Sequence, residues 1–326
     1  MSDSKRKGGS ENLERRPEKA LRTEDAPVVI VYDIETVHRH PCDQIPGGIP
    51  CFACANYVNV MQTTEIIEFA ATVLEPADYS ESKKIRVTCG KNFDIYRDCE
   101  CAASRKFSFD NGYVQLCNTS KYVSFSMAWH GEVKEWFDEI FNRCGALRKV
   151  VLLAHNGNCY DHFHLLKSIP ELKGWRRVLF ADPLSGSLYV FRKDSTWVSH
   201  APSMALRELQ KRLGVIPGIM NNKMHQAEDD VRILCAALLH KSSDFVKYLK
   251  EALKGHSGVE SETLLSYTLK KSMTYEELTC VGLKHFKHDG WMTFKDLFGM
   301  QRDEIIGNLG KANKKYDTHD CEGSRG

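Results

Sequence analysis

The run Val-Val-Ile-Val-Tyr at residues 28–32 is the feature that most constrains how this 326-residue chain can fold. Four consecutive β-branched residues followed by an aromatic one are typical of a central strand that is buried on both faces. The run leads directly into Asp33, Ile34 and Glu35. Because side chains alternate along a strand, the two carboxylates point to the same side of the sheet. The sequence therefore predicts a buried strand that delivers two acids to one place.

Strand and helix patterns alternate over residues 27–242, which predicts an α/β domain built around one central sheet. The remaining residues contain three short amphipathic patterns, at 245–253, 262–269 and 275–283, followed by a polar tail. The further predicted strands are 65–74, 84–89, 149–154 and 177–180, and the predicted helices of the domain are 131–143, 160–168, 203–213 and 225–240.

Composition divides the chain further. Residues 1–26 are rich in charge and poor in aromatic side chains, so we expect a disordered tail. Two irregular stretches, about 37–64 and 90–127, are predicted insertions into the domain, and both contain cysteines. Residues 243–326 are expected to form a helical C-terminal extension with a polar tail.

The charge distribution and the apolar runs exclude some classes of protein. The net charge is +2, but residues 167–223 carry ten Lys or Arg against four acids, a local excess that is one mark of a polyanionic partner, although the count alone favours scattered solvated charges. The longest apolar run, residues 26–32, is far shorter than a membrane span needs. No signal-peptide pattern precedes it, so we expect an intracellular protein of the nucleus or cytoplasm that is not secreted and has no membrane partner.

Two further segments bring polar residues to the ends of predicted elements. Asp161 follows a buried strand and an Asn-Gly turn, where an aspartate is commonly a helix cap. His225 precedes a predicted helix, and Asp230 lies next to the apolar face of that helix. Its neighbours Glu228 and Asp229 are expected to be solvated. Each of these motifs is weak evidence for a functional site when it is considered alone.

Taken together, the motifs resemble the DEDDh (DnaQ-like) 3′-to-5′ exonucleases, and within that family the TREX-like branch. The resemblance covers residues 27–242 and rests on three passages. They are Tyr-Asp-Ile-Glu-Thr at 32–36, Ala-His-Asn-Gly-x-x-Tyr-Asp-x-x-x-Leu-Leu at 154–166, and His-x-Ala-Glu-x-Asp-Val-x-x-Leu at 225–234.

The resemblance implies a ribonuclease H-like fold, with a mixed central sheet flanked by helices, and hydrolysis of DNA to 5′-mononucleotides from single strands or 3′ ends. It also implies a possible homodimer. Phosphodiester hydrolysis by two metal ions needs oxygen ligands, which carboxylates provide. The expected ligands of two Mg²⁺ or Mn²⁺ ions are Asp33, Glu35, Asp161 and Asp230, with Asp33 bridging the ions and His225 acting as general base.

Other interpretations stay open. The same fold could act on RNA, because the sequence shows no group that reads the 2′-hydroxyl. A third possibility is a non-catalytic module that binds nucleic acid or protein through the nuclease fold. The predicted insertions could also share a structural Zn²⁺, although the spacing of their ligands matches no known zinc finger. The candidate zinc ligands are Cys42, Cys51, Cys54, Cys99 and Cys101, with Cys89, Cys117, His38 and His40 nearby.

Overall fold

A computed structural model describes the fold of the protein. None of the helices in the described part of the chain is long and apolar enough to cross a membrane. The described residues are 26–38, 64–90, 119–158, 160–186, 189–191, 197–199, 204–214, 216, 226–253, 263–280, 282–284 and 291–293.

A five-stranded sheet forms the centre of the fold. Its strands are β1 (Val28–His38), β2 (Thr64–Leu74), β3 (Glu81–Thr88), β4 (Val150–Leu153) and β5 (Val178–Ala181). They lie in the order β3-β2-β1-β4-β5. The pairs β1–β2 and β2–β3 are antiparallel, whereas β1–β4 and β4–β5 are parallel. The sheet is therefore mixed and flanked by helices, which confirms the predicted α/β class.

The helices of the described part of the chain pack on both faces of this sheet. A π-helical turn, Trp129–Val133, joins the first two of them. The helices are α1 (Phe125–Ala128), α2 (Lys134–Cys144), α3 (Asp161–Ser168), α4 (Leu206–Leu213), α5 (Ala227–Leu239), α6 (Ser243–Ala252), α7 (Leu264–Lys270) and α8 (Tyr275–Thr279). Short hairpins add β6 (Tyr189–Phe191) with β7 (Trp197–Ser199), and β8 (Gly282–Lys284) with β9 (Trp291–Thr293).

The alternation of side chains along β1 divides the interior into two cores. Ile30 and Tyr32 belong to the first core, with Phe137 of α2 and Phe163 of α3. Val29 and Val31 belong to the second core, which contains side chains of α4 to α7. Both sets are fully buried, so β1 has the environment that its β-branched run predicts.

The segment after residue 242 packs onto the same sheet. Side chains of α6 and α7 fill part of the second core, and Leu278 of α8 lies in the first core. Phe180 of β5 and Met273 donate a backbone N–H to each other's carbonyl oxygen, both at 2.8 Å. The C-terminal segment therefore pairs with the edge strand β5 as well as packing over it.

Several element bounds differ from the sequence predictions. β1 continues past Tyr32 to His38, because the acidic residues remain paired with β2. The helix that contains Phe125 begins inside the stretch 90–127 that was expected to be an insertion, and Phe125 is buried in the first core. The helix predicted over 275–283 ends at Thr279 and is followed by β8, so that boundary was wrong.

Replacement of Leu278 tests whether α8 is part of the folded unit. Leu278 is fully buried, and we expect Leu278→Ala to lower the free energy of unfolding by about 2–5 kcal/mol through the cavity that it leaves. Leu147, which is 96% exposed, is the matched control, and its change to Ala should stay within about 0.5 kcal/mol. Urea unfolding followed by circular dichroism measures both values. Equal midpoints for the two variants would contradict the packing of α8.

Candidate functional site

Three of the predicted site residues meet above the second core. Asp33 and Glu35 continue the face of β1 that carries Val29 and Val31, and α5 packs on that face. Asp230 lies in the first turn of α5. Asp33, Glu35 and Asp230 each offer a carboxylate oxygen, and these three oxygens lie within 4.8 Å of one another. Within the described residues this is the group of acids and histidines placed to hold a metal ion.

Asp161 lies next to this group, at the start of α3, and is buried. Burial raises the pKa of Asp161 to about 8, with further increases from the charges of Asp182 and Asp230. Burial likewise raises the pKa of Asp33 well above its usual value, and the nearby charges of Asp161, Asp230 and Glu35 add to this. In the absence of a cation the four carboxylates cannot all ionise without a large electrostatic cost.

A buried hydrogen bond connects the segment that holds Asp33 to the segment that holds Asp161. The Tyr32 hydroxyl lies 2.6 Å from His162 Nδ1, and His162 Nε2 lies 3.2 Å from the carbonyl oxygen of Ala181. A carbonyl oxygen only accepts, so Nε2 carries the proton and Nδ1 accepts from the tyrosine hydroxyl. Burial lowers the pKa of His162 to about 3, which keeps this ring neutral. His162 is therefore a structural histidine that fixes the start of α3.

The turn before α3 uses its Asn-Gly pair in an unexpected way. An Asn-Gly turn commonly has positive φ angles, but only Asn156 of this pair has one, at 61°. Gly157 is needed for space, since a Cβ there would lie 2.6 Å from His162 Nε2 and 3.0 Å from Ala154 Cβ. The glycine thus lets the turn pack against the buried histidine.

Asp182, at the end of β5, organises the same turn. It is buried, and its carboxylate accepts backbone hydrogen bonds from Asn156 at 3.0 Å, Asn158 at 3.2 Å and Leu184 at 2.8 Å. Burial raises the pKa of Asp182 to about 7, against the opposing effect of these donors. Its position explains why its charge also acts on Asp161.

A second link lies next to Glu35. The register of β1 and β2 shifts between Glu35 and Thr36, and the Thr36 hydroxyl lies 2.6 Å from the Tyr160 hydroxyl. Tyr160 directly precedes Asp161. Each acid of β1 is therefore next to a residue that is hydrogen-bonded to a neighbour of Asp161.

The first turn of α5 differs from the expectation in one respect. Asp229 was expected to be solvated, but it is only 8% exposed and lies 3.5 Å from the guanidinium of Arg232. Glu228 is half-buried and pairs with Arg86 at 3.1 Å and with Arg232 at 2.6 Å. The prediction of a solvated side chain is wrong for Asp229, and Glu228 contacts Arg86 of β3, which no local pattern reveals.

Some predicted residues lie outside the described residues. His225 is one of them, so its role as general base stays a prediction. The candidate zinc ligands Cys42, Cys51, Cys54, Cys99 and Cys101 also lie outside, and the zinc site stays a prediction as well.

Part of the basic segment 167–223 serves the fold. The Arg177 guanidinium donates to the Gly145 carbonyl and lies over the Phe141 ring. Arg212 pairs with Glu208 and lies over the Tyr248 ring. The local excess of cations therefore does not by itself define a surface for phosphates.

Sequence reasoning gave no role to three residues close to the acids, which are Glu68, opposite Glu35 in the sheet, Asp182 and Tyr160. A signal for Glu68 was present, because a carboxylate inside the apolar stretch 66–71 is unusual for a buried strand. The contacts of Asp182 and Tyr160 join distant parts of the chain, and no spacing in the sequence encodes them.

Comparison with known proteins identifies similarity to solved structures. No protein-family model and no curated protein matches the sequence. Among solved structures, exonuclease I is similar with a TM-score of 0.38 and 16% sequence identity. The similarity covers 69% of this chain and 41% of exonuclease I, so this chain spans about two fifths of that protein. A TM-score of this size does not establish a shared fold, and the similarity carries no argument about function.

Replacement of Gly157 tests the packing of the turn against His162. We expect Gly157→Ala to lower the free energy of unfolding by about 1–3 kcal/mol, because the added methyl group overlaps a buried ring. Gly174 has open space around the position of a Cβ, so Gly174→Ala is the control and should stay within about 0.5 kcal/mol. Thermal and urea unfolding give both values. A Gly157→Ala variant as stable as the control would disprove the close approach.

The raised pKa values predict how stability depends on pH without metal. An unfolded aspartate has a pKa near 3.9, whereas the pKa of Asp161 is about 8 in the folded protein. Between these values the folded state binds more protons than the unfolded state, so stability falls as pH rises. We expect the Tm in EDTA to be lower at about pH 8.5 than at about pH 5.5.

Two variants separate this effect from general titration. Asp161→Asn removes the ionisable group, so it should lose less Tm than the wild type between these pH values. The exposed Asp78 has a lowered pKa, and Asp78→Asn should follow the wild-type pH dependence in this range. A wild-type Tm that rises with pH, or an Asp161→Asn profile that matches the wild type, would contradict the electrostatic description.

Proposed function

We propose that this chain is a metal-dependent 3′-to-5′ exonuclease of the DEDDh type, similar to the TREX-like branch. It hydrolyses DNA, either single strands or 3′ ends, to 5′-mononucleotides. The observation that carries the proposal is the convergence of the carboxylates of Asp33, Glu35 and Asp230, whose oxygens lie within 4.8 Å of one another, next to Asp161. The mixed sheet with flanking helices agrees with the ribonuclease H-like fold that the sequence motifs imply.

The arrangement fits divalent cations on chemical grounds. Hard cations such as Mg²⁺ and Mn²⁺ prefer oxygen ligands, and the group consists of carboxylates. Burial, together with the charges of neighbouring carboxylates, raises the pKa of Asp33 and of Asp161, and a bound cation would favour the ionised forms of both. Asp33, Glu35, Asp161 and Asp230 would hold the ions. When bound, two ions stabilise the charge on the attacking and leaving oxygens of a phosphodiester.

The side chains of the chain contribute the remaining steps. His225 accepts the proton of the attacking water, since an unperturbed imidazole titrates close to neutral pH. The neutral His162 takes no part in proton transfer, because Tyr32 and Ala181 occupy both of its ring nitrogens. Instead, it keeps the turn that carries Asp161 at a fixed distance from β1. His225 therefore serves the chemistry, whereas His162 serves the position of Asp161.

Two alternatives belong to different classes. The same site could hydrolyse RNA, or the fold could bind nucleic acid or protein without catalysis. The cluster itself favours catalysis, because a protein that only binds has no need to hold four acids against their mutual repulsion. The TREX-like resemblance adds a homodimer to the proposal, and analytical ultracentrifugation of the purified chain would test it.

Hydrolysis of a 3′-labelled oligonucleotide is the direct test. We expect Mg²⁺-dependent release of 5′-mononucleotides, abolished by EDTA and restored by Mg²⁺ or Mn²⁺. Asp161→Asn and His225→Ala should each lower kcat more than about 100-fold, since each removes a group that acts in the reaction. Asp78 is an exposed acid that has no proposed role in the reaction, so Asp78→Asn should retain wild-type activity.

The outcome separates the alternatives. Matched DNA and RNA oligonucleotides assayed side by side identify the substrate, and preference for RNA would replace the deoxyribonuclease proposal. Full activity in Asp161→Asn would reject the site. Tight binding of the oligonucleotide by the wild type without any hydrolysis would favour the non-catalytic module.

A further inference from the structure

Glu68 is a buried acid that the proposed chemistry does not use. It lies in β2 directly opposite Glu35 of β1 and has no exposed surface. Side chains of paired residues point to the same face of a sheet, so Glu68 faces the side on which Asp33 and Glu35 lie. A carboxylate in this position adds to the negative charge of the site unless donors compensate it.

The two oxygens of Glu68 accept hydrogen bonds from two different elements. Oε1 accepts from Arg86 Nε of β3 at 2.7 Å, and Oε2 accepts from the backbone N–H of Ala227 at 3.2 Å. Ala227 is the first residue of α5, and the preceding Gln226 makes no side-chain cap. The first N–H groups of a helix have no partner within it. Glu68, which lies on β2, therefore caps the first turn of the helix α5.

Arg86 extends this contact to the next residue of α5. Its Nη1 lies 3.1 Å from Glu228 Oε2, while the other oxygen of Glu228 pairs with Arg232 at 2.6 Å. The guanidinium therefore bridges a buried acid of the sheet and an acid of the first helical turn, in two charge-assisted contacts. The four charged residues form a continuous chain from β2 through β3 to α5.

These contacts affect the position of the proposed metal ligand Asp230 because α5 is a rigid helix. Asp230 follows Ala227 by three residues, which is just under one helical turn. A shift of the first turn would move the Asp230 carboxylate relative to Asp33 and Glu35 on β1. Small displacements of a ligand matter because metal sites depend on the groups that orient their ligands.

We propose that Glu68 and Arg86 are positioning residues that clamp the first turn of α5 to the sheet and so hold Asp230 in reach of Asp33 and Glu35. This inference rests on the proposed function. Neither residue binds metal or substrate. Arg86 compensates the charge of Glu68, and Glu68 fixes the backbone of Ala227.

Arg86→Met is the main test, with Lys84→Met as the matched control. Lys84 lies two residues earlier on the same face of β3 and pairs with Glu81 at 2.5 Å, so its removal subtracts an equal charge and leaves the contacts of Arg86 with Glu68 and Glu228 in place. We expect Arg86→Met to lower kcat about 10- to 100-fold, with the KM for the oligonucleotide unchanged within about twofold. Lys84→Met should retain the wild-type kcat.

Two further measurements do not depend on turnover. Calorimetry with Mn²⁺ should show weaker binding by Arg86→Met, by about tenfold or more. Hydrogen exchange should show faster exchange of the Ala227 amide, with no change at Ile140 of α2. An alternative, in which Arg86 only lowers the negative charge, predicts tighter Mn²⁺ binding by Arg86→Met, and that result would overturn the clamp.

The double variant E68Q/R86M keeps the proposal falsifiable if Arg86→Met does not fold. The glutamine side chain would retain an oxygen for the Ala227 amide and would no longer need a cation, so we expect partial rescue of kcat and of amide protection relative to Arg86→Met. Wild-type kcat, Mn²⁺ affinity and Ala227 exchange in Arg86→Met would reject the inference. If instead the wild type neither binds Mn²⁺ nor hydrolyses DNA, the proposed function fails, while the exchange of Ala227 still tests the clamp.

Discussion

Mutual repulsion among the carboxylates that meet at Asp33 and Glu35 of β1 is the constraint on which the rest of the site depends. Burial raises the pKa of Asp33 because it removes the water that would otherwise screen the charge. The charges of Asp161, Asp230 and Glu35 raise this pKa further. Such a group stays together only if the backbone that carries each acid is held independently of the acids. The hydrogen bonds around the site supply that support.

Several of these hydrogen bonds share one feature. The residue that makes the bond is a sequence neighbour of a proposed metal ligand and is not itself a proposed ligand. Tyr32 and Thr36 flank the acids of β1 and bond to His162 and Tyr160, which flank Asp161. Asp182 holds the turn before α3 through backbone amides. This arrangement places these supporting hydrogen bonds outside the group of Asp33, Glu35 and Asp230. It also makes the geometry depend on four separate segments of the chain.

The C-terminal residues show how the site is supported from a distance. α6 and α7 contribute to the core beneath α5, and Met273 pairs with β5, the strand that directly precedes Asp182. A boundary at residue 242 separates segments by their sequence pattern, whereas the packing joins them into the same two cores. The stability of α5 and β5, and through them the position of Asp230 and Asp182, therefore draws on residues 243–253 and 263–280.

Much of the sheet could be predicted because periodicity is local. The run at 28–32 indicates a buried strand, and alternation places Asp33 and Glu35 on one face without reference to any other part of the chain. The contacts that hold the acids could not be predicted, since Tyr32–His162 and Glu68–Ala227 join residues more than a hundred positions apart. The sequence by itself determined the central strand and the acids that are candidate metal ligands. Only the tertiary structure decided that Asp230 reaches β1 and that Glu68 and Arg86 lie at the start of α5, because these distances depend on how a helix packs on the sheet.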